Sequence, residues 1–177
     1  MVRREETINS LTPDIPPAEE YQFIADSMLG RLARWLRFMG FDTLYYPDIT
    51  DGNLIRIGRE QERFILTRDT RLVKIKGLKK YVLISSDDPF QQLLELIEGL
   101  QLKRFHLFSR CVACNGQLMK IADKSEVKDA VPEFVLLNSN MFARCRSCGK
   151  IFWEGSHLKN FMEIIHGITK FRGGHLT

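Results

Sequence analysis

The stretch FIADSMLGRLARWLRFMG, residues 23–40, decides the fold that we expect. It begins with a short apolar run that ends at Asp26, and it continues as a helix predicted from Met28 to Met39. A strand that leads directly into an amphipathic helix is typical of a βα unit. Asp26 is therefore either a simple cap of the helix or a carboxylate placed at a strand tip for chemistry.

Strands and helices alternate along the residues that follow. Apolar runs in TLYYP, FILTRD and YVLISS predict three more strands. Helices are predicted from Asp51 to Arg63 and over DPFQQLLELIEGL, where Asp88 precedes a first-turn proline. This alternation predicts βαβ crossovers, a parallel sheet and helices on both of its faces. Ligands of such sheets bind at the carboxyl ends of the strands, so we expect Asp26 and Asp69 to meet at one edge.

The composition is that of an ordinary globular chain. Of the 177 residues, 44% are hydrophobic and 27% are charged, which excludes a wholly disordered chain. A net charge of +4 permits a nucleic-acid partner without requiring one. The sequence has no run of about 18 apolar residues and no signal-peptide pattern, so we expect a cytoplasmic protein without a membrane partner. The acid- and proline-containing residues 1–20 are expected to form a flexible tail.

Four cysteines, in the pairs CVACNG and CRSCGK, predict a zinc site. Two residues between the cysteines of a pair allow both thiolates of a tight turn to face one ion. Four thiolates fill a tetrahedral zinc site without an open position, which makes the predicted role structural. Gly116 and Gly149 are expected to supply backbone conformations that are difficult for other residues. Disulfides and a redox pair are the alternatives, and the expected compartment argues against disulfides. The predicted ligands are Cys111, Cys114, Cys145 and Cys148.

The chain around the cysteines is expected to form its own unit. The stretch between the two pairs is longer than the usual spacing of about 15–20 residues, and EFVLLNS within it predicts a strand. HLKNFMEIIHGI predicts a helix that Ser156 caps, although Ser156 and His157 could instead touch RNA. We therefore expect a parallel-sheet nuclease domain over residues 21–107, a zinc ribbon with a C-terminal helix over 108–167, and a tail over 168–177.

Carboxylates carry the chemistry at the expected sheet edge. The chain lacks a G-x-G-x-x-G or P-loop pattern after the first strand, and its histidines lie too far toward the end for a Ser-His-Asp or Cys-His set in the sheet. Asp26, Asp51 and Asp69 come from three different elements. Hard oxygen ligands of this kind suit Mg²⁺ or Mn²⁺, and such ions promote phosphodiester hydrolysis. Taken singly, each aspartate can also be a cap or turn residue.

Arginines accompany these carboxylates. Three arginines of the opening stretch, spaced three apart, fall on a stripe opposite a wide apolar face of the predicted helix. Guanidinium groups bind phosphate in bidentate fashion, so the stripe is expected to hold an RNA backbone, and a solvated helix face is the alternative. Two more arginines lie beside the acid of TRD. The predicted RNA contacts are Arg31, Arg34, Arg37, Arg68 and Arg71.

Four motifs occur in an order that resembles a known family. FIADSMLGRLARWLRFMGFDT, FILTRDTRL, RCVACNGQL and RCRSCGKIFWEGSHLKNF resemble the family named for the C-terminal RNase domain of the Mut-seven exonuclease, over roughly residues 21–162. The resemblance implies a PIN-like three-layer α/β/α fold, a zinc ribbon after it, and metal-dependent RNase activity. By the same resemblance, Asp26 matches the acid after the first strand, Asp69 an acid near a later strand, and Asp51 a third acid. The acid that PIN domains usually carry on an intervening helix has no match.

Two functions of different classes follow. The first is a metal-dependent ribonuclease that cuts single-stranded or structured RNA with Mg²⁺ or Mn²⁺ at Asp26 and Asp69. The second is a non-catalytic RNA-binding or ribosome-associated adaptor that kept the fold and lost an acid; a DNA nuclease is a third. One missing ligand does not separate the first two, since water or substrate can complete the coordination.

Overall fold

The structure of the protein is a computed structural model, and it describes residues 21–102, 104–155, 161 and 175–176. The tail predicted over residues 1–20 lies outside this part of the chain. So do the Ser156 cap, His157 and all of the helix predicted after them except Phe161. Within the described residues, no helix is both long and apolar enough to cross a bilayer.

A four-stranded parallel sheet forms the larger part of the described chain. Its strands stand in the order β2-β1-β3-β4, so the first strand lies between the second and the third. Helices separate or follow the strands, as the alternating sequence pattern predicts. In chain order the elements are β1 (Gln22–Ala25), α1 (Gly30–Phe38), β2 (Asp42–Tyr45), α2 (Asp51–Glu60), β3 (Phe64–Thr67), β4 (Tyr81–Leu83) and α3 (Pro89–Gly99).

The central strands are buried on both faces, because their side chains alternate between two cores. Phe23 and Ala25 of β1 face the larger core, which α1 and α3 cover. Ile24 of β1 and Ile65 of β3 face the smaller core, where Leu54 of α2 is fully buried. The three-layer α/β/α arrangement predicted from the sequence is therefore confirmed.

The turn from β1 into α1 is tighter than the sequence predicts. A short 3-10 helix over Ser27–Leu29 precedes α1, so the single helix predicted there is divided in two. Asp26 caps the first of them by accepting a hydrogen bond from the Ser27 amide. Gly30 follows, and a Cβ there would lie 2.7 Å from the Tyr45 hydroxyl. The ring of Tyr45 thus packs against the start of α1 and requires glycine at that position.

The cysteine-bearing part of the chain forms a separate antiparallel sheet. β6, β7 and β8 pair in that order, and α4 lies between β6 and β7 in the chain. Further along, β9 pairs in parallel with β5, so residues 175–176 form a strand within the stretch predicted as a tail. These elements are β5 (Arg104–Phe105), β6 (Leu118–Ile121), α4 (Glu133–Asn138), β7 (Phe142–Cys145), β8 (Ile151–Trp153) and β9 (His175–Leu176).

The strand predicted at EFVLLNS is wrong, because these residues form α4. Pro132 precedes the helix with a φ of −58°, and its carbonyl accepts hydrogen bonds from the amides of Val135 and Leu136. Those two neighbouring residues both pack against the small core around Phe142. A strand would point adjacent side chains to opposite faces, so a helical turn is what allows both to be buried.

Arg37 departs from the predicted arginine stripe. The other two arginines of the stripe are exposed, as expected, but Arg37 is only 5% exposed. Its Nε donates to the carbonyl oxygen of Thr43 at 2.8 Å, and its Nη1 donates to the carbonyl oxygens of Val112 and Ala113, both at 3.1 Å. The placement of Arg37 on an outward RNA-facing stripe is therefore wrong, because the end of α1 lies against the first cysteine turn. We call this turn, residues 111–116, the first knuckle, and residues 145–150 the second knuckle.

The first knuckle also covers the edge strand β2. Thr43 donates its amide to Asn115 Oδ1 at 3.0 Å, and Asn115 Nδ2 donates to Asp42 Oδ1 at 2.7 Å. Asp42 also pairs with Arg63 at 2.7 Å and with Arg110 at 3.3 Å. Burial acts to raise the pKa of Asp42, but the hydrogen bonds from Arg63 and Asn115 bring it below its ordinary value. Unpaired groups of an edge strand invite association with other strands, and here Asn115 binds the Thr43 amide while Arg37 binds the Thr43 carbonyl.

We expect Arg37→Met to lower the free energy of unfolding by about 2–3 kcal/mol, because three carbonyl groups at this joint lose their charged donor. Arg34→Met, the same substitution on an exposed side chain one turn earlier, is the matched control and should change it by less than about 0.5 kcal/mol. Urea unfolding of both variants beside the wild type checks this. Equal unfolding midpoints for the two variants would show that the joint does not depend on Arg37.

Candidate functional site

The sheet has a point at which the chain connections leave in opposite directions. β1 is followed by β2 on one side, whereas β3 lies on its other side and leads on to β4. Parallel sheets form a crevice at the carboxyl ends of the strands beside such a point, and ligands bind there. Asp26 follows β1 directly, and Thr67 is the last residue of β3. These two residues therefore flank the crevice.

Asp26 is buried, with 5% of its surface exposed. Its amide donates to the carbonyl oxygen of Leu66 at 2.9 Å, which continues the pairing of β1 with β3. Oδ1 accepts from the amide and the hydroxyl of Ser27 at 2.7 and 3.3 Å, and Oδ2 accepts from the Thr67 hydroxyl at 2.6 Å. These donors are neutral, and among the described residues no lysine or arginine forms an ion pair with Asp26. Asp26 is thus a cap and also a candidate cation ligand, since buried charges are usually paired or bound to metal.

Thr67 links two of the predicted acids. Its hydroxyl oxygen accepts a hydrogen bond from the Asp69 amide at 3.0 Å, so its own proton is directed to Asp26. The Asp69 carboxylate accepts from the amide of Arg71 at 2.7 Å and pairs with its guanidinium at 3.3 Å. Both contacts lower the pKa of Asp69. The carboxylate is therefore charged at neutral pH.

Asp51 is the first residue of α2 and is exposed. Thr50 caps this helix, because its hydroxyl accepts from the Asn53 amide at 3.4 Å. The pKa of Arg71 is raised, first by its contact with Asp69 and more weakly by the charge of Asp51. Asp51 thus acts electrostatically on the arginine that Asp69 binds, and it is not the residue that caps α2.

The three predicted aspartates do not converge on one point in this structure. Among the described residues, the four thiols are close enough together to bind one ion as a group of three or more ligands. The three aspartates do not form such a group. Asp69 is turned toward Arg71 instead. Mg²⁺ is commonly held by one or two carboxylates, with water and substrate phosphate completing its shell, so Asp26 and Asp69 are sufficient in number.

The arginines predicted to contact RNA differ in their surroundings. Arg31 and Arg34 are exposed on α1, and the side chain of Arg71 is 90% exposed despite its ion pair. Arg68 pairs with the exposed Asp87 through Nη2, while its Nε is buried and has no hydrogen-bond partner in the described structure. An unsatisfied buried donor is costly, and an external acceptor such as a phosphate oxygen could reach this one only if the side chain of Arg68 moved.

The four thiols come together as the sequence predicts. Their sulfur atoms all lie within 4.8 Å of one another, with Cys111 and Cys148 3.7 Å apart and Cys114 and Cys145 3.4 Å apart. A zinc ion with tetrahedral bonds of about 2.3 Å to sulfur requires sulfur atoms about 3.8 Å apart. The cluster therefore fits a metal ion such as zinc. Four protein ligands leave no open position for a substrate.

Tight turns bring the sulfur atoms of each knuckle together. Asn115 and Gly149 donate their amides to the carbonyl oxygen of the first cysteine in their own knuckle, at 2.8 and 3.0 Å. Both residues have a positive φ, 68° at Asn115 and 71° at Gly149. At Gly116 the requirement is space, since a Cβ there would lie 2.5 Å from Ser147 Oγ. The predicted special backbone conformation is confirmed for Gly149, whereas Gly116 allows the two knuckles to approach closely.

The thiols differ in acidity. Burial raises the pKa of the Cys111 thiol to about 12. Burial also acts to raise the pKa of Cys145, but the amides of Cys148 and Ser147 point at its sulfur and bring the pKa down to about 7. Without a cation Cys111 is protonated at neutral pH, so uptake of a metal ion by this cluster releases protons.

The sequence pattern does not predict the polar side chains that hold these sites. Thr67 ends an otherwise apolar strand, and that single hydroxyl is the available signal. Asn115 follows the second cysteine and adopts a left-handed conformation, which asparagine tolerates better than most residues. Asp42 at the start of β2 carries no such signal, since its three partners come from distant parts of the chain.

Comparison with models of protein families matches residues 21–165 to the family described as the Mut7-C RNAse domain. No curated protein and no solved structure matches the chain. The matched residues span the parallel sheet, the crevice at its carboxyl edge and both knuckles.

We expect Thr67→Val to lower the free energy of unfolding by about 1–3 kcal/mol, because the buried carboxylate of Asp26 loses the donor to Oδ2. Thr67→Ser keeps the hydroxyl and should recover most of this loss. Urea unfolding of the two variants measures the difference. A valine variant as stable as the serine variant would mean that the hydroxyl does not hold Asp26.

Proposed function

Since the chain belongs to the Mut7-C RNAse domain family, we propose that it is a metal-dependent ribonuclease. The proposed reaction is hydrolysis of an RNA phosphodiester bond at the crevice between β1 and β3, with Mg²⁺ or Mn²⁺ held by Asp26 and Asp69. Family membership supports RNA as the substrate. The observation that carries the metal is Asp26, a buried carboxylate whose described hydrogen-bond donors are all neutral.

The residues of the crevice have distinct proposed roles. Bound Mg²⁺ or Mn²⁺ supplies charge stabilisation at the phosphoryl group and lowers the pKa of an attacking water. Ser27 and Thr67 hold Asp26 in position before any cation arrives. Asp69 has to leave Arg71 to become a ligand, and exposed pairs of this kind contribute little to stability. Asp51, at the start of α2, is the proposed third acid.

The proposed phosphate contacts are the arginines with free donors. Arg31 and Arg34 are exposed on the helix that rises from Asp26, and guanidinium groups match phosphate oxygens bidentately. Arg68 has the buried Nε without a partner, next to Asp69 in the chain. Arg37 is left out, because its guanidinium donors are already bound to three carbonyl groups.

The cysteine cluster is proposed to hold one structural zinc ion. Sulfur separations close to the tetrahedral value support zinc, and the absence of an open ligand position supports a structural role. In this proposal residues 21–107 form the nuclease domain and residues 108–167 the zinc ribbon. Zinc would stabilise the first knuckle, and through it the edge strand β2.

A non-catalytic RNA-binding or ribosome-associated adaptor is the second candidate. It is favoured by the separation of the predicted acids, since within the described residues no three carboxylates lie within reach of one ion. It is also favoured by the pairing of Asp69 with Arg71. An adaptor of this kind would bind RNA with or without a divalent cation.

Removal of either proposed magnesium ligand should abolish cleavage. We expect Asp26→Asn and Asp69→Asn each to lower Mn²⁺- or Mg²⁺-dependent hydrolysis of RNA at least about 100-fold, because a cation bound by carboxylates supplies several kcal/mol of transition-state stabilisation. The measurement is single-turnover cleavage of a panel of labelled RNAs by protein that keeps its zinc but is freed of Mg²⁺ and Mn²⁺, after each of these ions is added back.

Asp129→Asn is the control for this experiment, since it removes one exposed carboxylate from the cysteine-bearing unit and should leave the rate unchanged. Cleavage in excess chelator, or full activity of both crevice variants, would rule out the metal mechanism. If the wild type cuts no RNA with either ion, the adaptor takes its place.

We expect one zinc ion per chain by elemental analysis, and we expect its removal to open the edge of β2. Thr43 donates its amide to Asn115 in the first knuckle, so hydrogen exchange at Thr43 should accelerate when zinc is chelated. The amide of Ile24, in the central strand β1, is the internal reference and should stay protected. The proposal would be contradicted if the purified protein contained no zinc, or if the rate of hydrogen exchange at Thr43 were the same with and without chelation of zinc.

A further inference from the structure

The carboxyl edge of the parallel sheet exposes apolar side chains as well as charges. Within residues 21–102, the large apolar side chains that are exposed are those of Met28, Tyr46 and Ile75. Met28 follows β1 and is 55% exposed, and Tyr46 follows β2 and is 47% exposed. Ile75 does not lie at this edge. The carbonyl of the residue after it accepts a hydrogen bond from Arg59, in the last turn of α2, and that turn lies at the opposite edge of the sheet, where β3 begins. Two of these three side chains therefore lie beside the crevice.

Tyr46 follows β2 as Asp26 follows β1. The parallel register pairs Ala25 of β1 with Tyr45 of β2, so the residues that follow them, Asp26 and Tyr46, are neighbours across strands that are about 5 Å apart. The residues on both sides of Tyr46 are held by hydrogen bonds. Before it, the Tyr45 hydroxyl donates to the Ser27 carbonyl at 2.9 Å. The Tyr46 carbonyl in turn accepts from the amide three residues later at 3.2 Å.

The side chain of Tyr46 takes part in none of the hydrogen bonds or ring contacts of the described structure. Its hydroxyl makes no hydrogen bond to a described residue, and its ring stacks on none of the described aromatic rings. Tyr45, its neighbour, shows the contrast, since its ring packs on Gly30 and its hydroxyl is bound. An aromatic face held on a fixed backbone beside a candidate cleavage site is therefore available to a ligand.

We infer that Tyr46 is a stacking platform for a base of single-stranded RNA, next to the phosphate that the crevice binds. This inference rests on the proposed ribonuclease function and names its substrate class. Every nucleobase has a π-face that stacks on an aromatic ring, so the contact tolerates any sequence. Bases of a duplex are stacked on each other and cannot reach the ring, so the contact selects single strands. Met28 and Arg31 follow Asp26 in the chain and are both exposed, so they would supply an apolar flank and a phosphate contact.

Binding of labelled RNA to zinc-containing protein, without added Mg²⁺ or Mn²⁺, tests the inference without requiring cleavage. The probes are a single-stranded oligonucleotide of mixed sequence and the same strand in a duplex, and the readout is fluorescence anisotropy. We expect the wild type to prefer the single strand. Tyr46→Ala should weaken single-strand binding by about tenfold, whereas Tyr46→Phe should stay within about twofold because it keeps the ring. The salt dependence should be unchanged, since no phosphate contact is removed.

Phe134→Ala is the matched control, because Phe134 is an aromatic residue that is 74% exposed on α4, away from the sheet edge. It should bind as the wild type does. Circular dichroism of each variant verifies that the fold is intact, and the phenylalanine variant separates loss of the ring from loss of the hydroxyl. The inference is overturned if Tyr46→Ala binds the single strand as tightly as the wild type, if duplex is bound equally well, or if the wild type binds neither.

The two proposals fail in distinguishable ways. A wild type that never cleaves with Mg²⁺ or Mn²⁺, but whose single-strand binding depends on the ring of Tyr46, would remove the ribonuclease and leave the stacking platform. If Asp26→Asn abolishes cleavage, but Tyr46→Ala changes neither the cleavage rate nor the binding of the single strand, the ribonuclease stands and the stacking platform is ruled out. If Phe134→Ala weakens binding as much as Tyr46→Ala, the RNA is not bound at the sheet edge as inferred.

Discussion

The pairing of β1 with β2 on one side and with β3 on the other is the constraint on which the described structure depends. It occupies both edges of β1, whose two faces are buried in the cores on either side of the sheet, so the chain leaves the sheet only where the strand ends, at Asp26. Because the three strands are parallel, the residues that follow each of them emerge at the same edge. Tyr46 comes out on one side of Asp26, and Thr67 approaches it from the other. A carboxylate and a hydroxyl therefore meet at this edge, and an aromatic residue follows the neighbouring strand, without any contact between distant loops.

The cysteine-bearing unit is bound to the same sheet at its edge. Asp42 forms ion pairs with Arg63, which directly precedes β3, and with Arg110, which directly precedes the first knuckle. It also accepts a hydrogen bond from Asn115 of that knuckle. A partly buried ion pair is weak grounds for a gain in stability, but removal of one partner leaves a charge without compensation and is costly. Together with the carbonyl groups bound by Arg37, this makes the knuckle part of the support of β2. A metal ion at the cysteines would then act on the sheet edge without touching a substrate.

Periodic and local features are the part of the structure that the sequence predicts. The strands, the helices, the approach of the four thiols and the position of Asp26 follow from apolar periodicity and cysteine spacing. The features that it misses depend on contacts between distant residues. In an isolated helix all three arginines of the stripe would face outward. Arg37 is buried because the first knuckle packs against the end of α1 and its carbonyl groups accept hydrogen bonds from Arg37. EFVLLNS has strand-like composition, but a small core that accepts Val135 and Leu136 together favours a helical turn.

The loss of Arg37 from the phosphate contacts changes what must supply RNA affinity. Each phosphate neutralised on a single strand adds only about 0.7 to the salt slope, so the proposed contacts that remain, Arg31, Arg34 and Arg68, would give a small electrostatic contribution. A net charge of +4 on 177 residues provides no large basic field to replace it. If the protein binds RNA at physiological salt as proposed, base contacts would have to add to this affinity, and stacking on a ring is the base contact that tolerates any sequence. Under the proposed function, an edge with few cations and an exposed aromatic residue would therefore favour unpaired strands over the phosphate surface of a duplex.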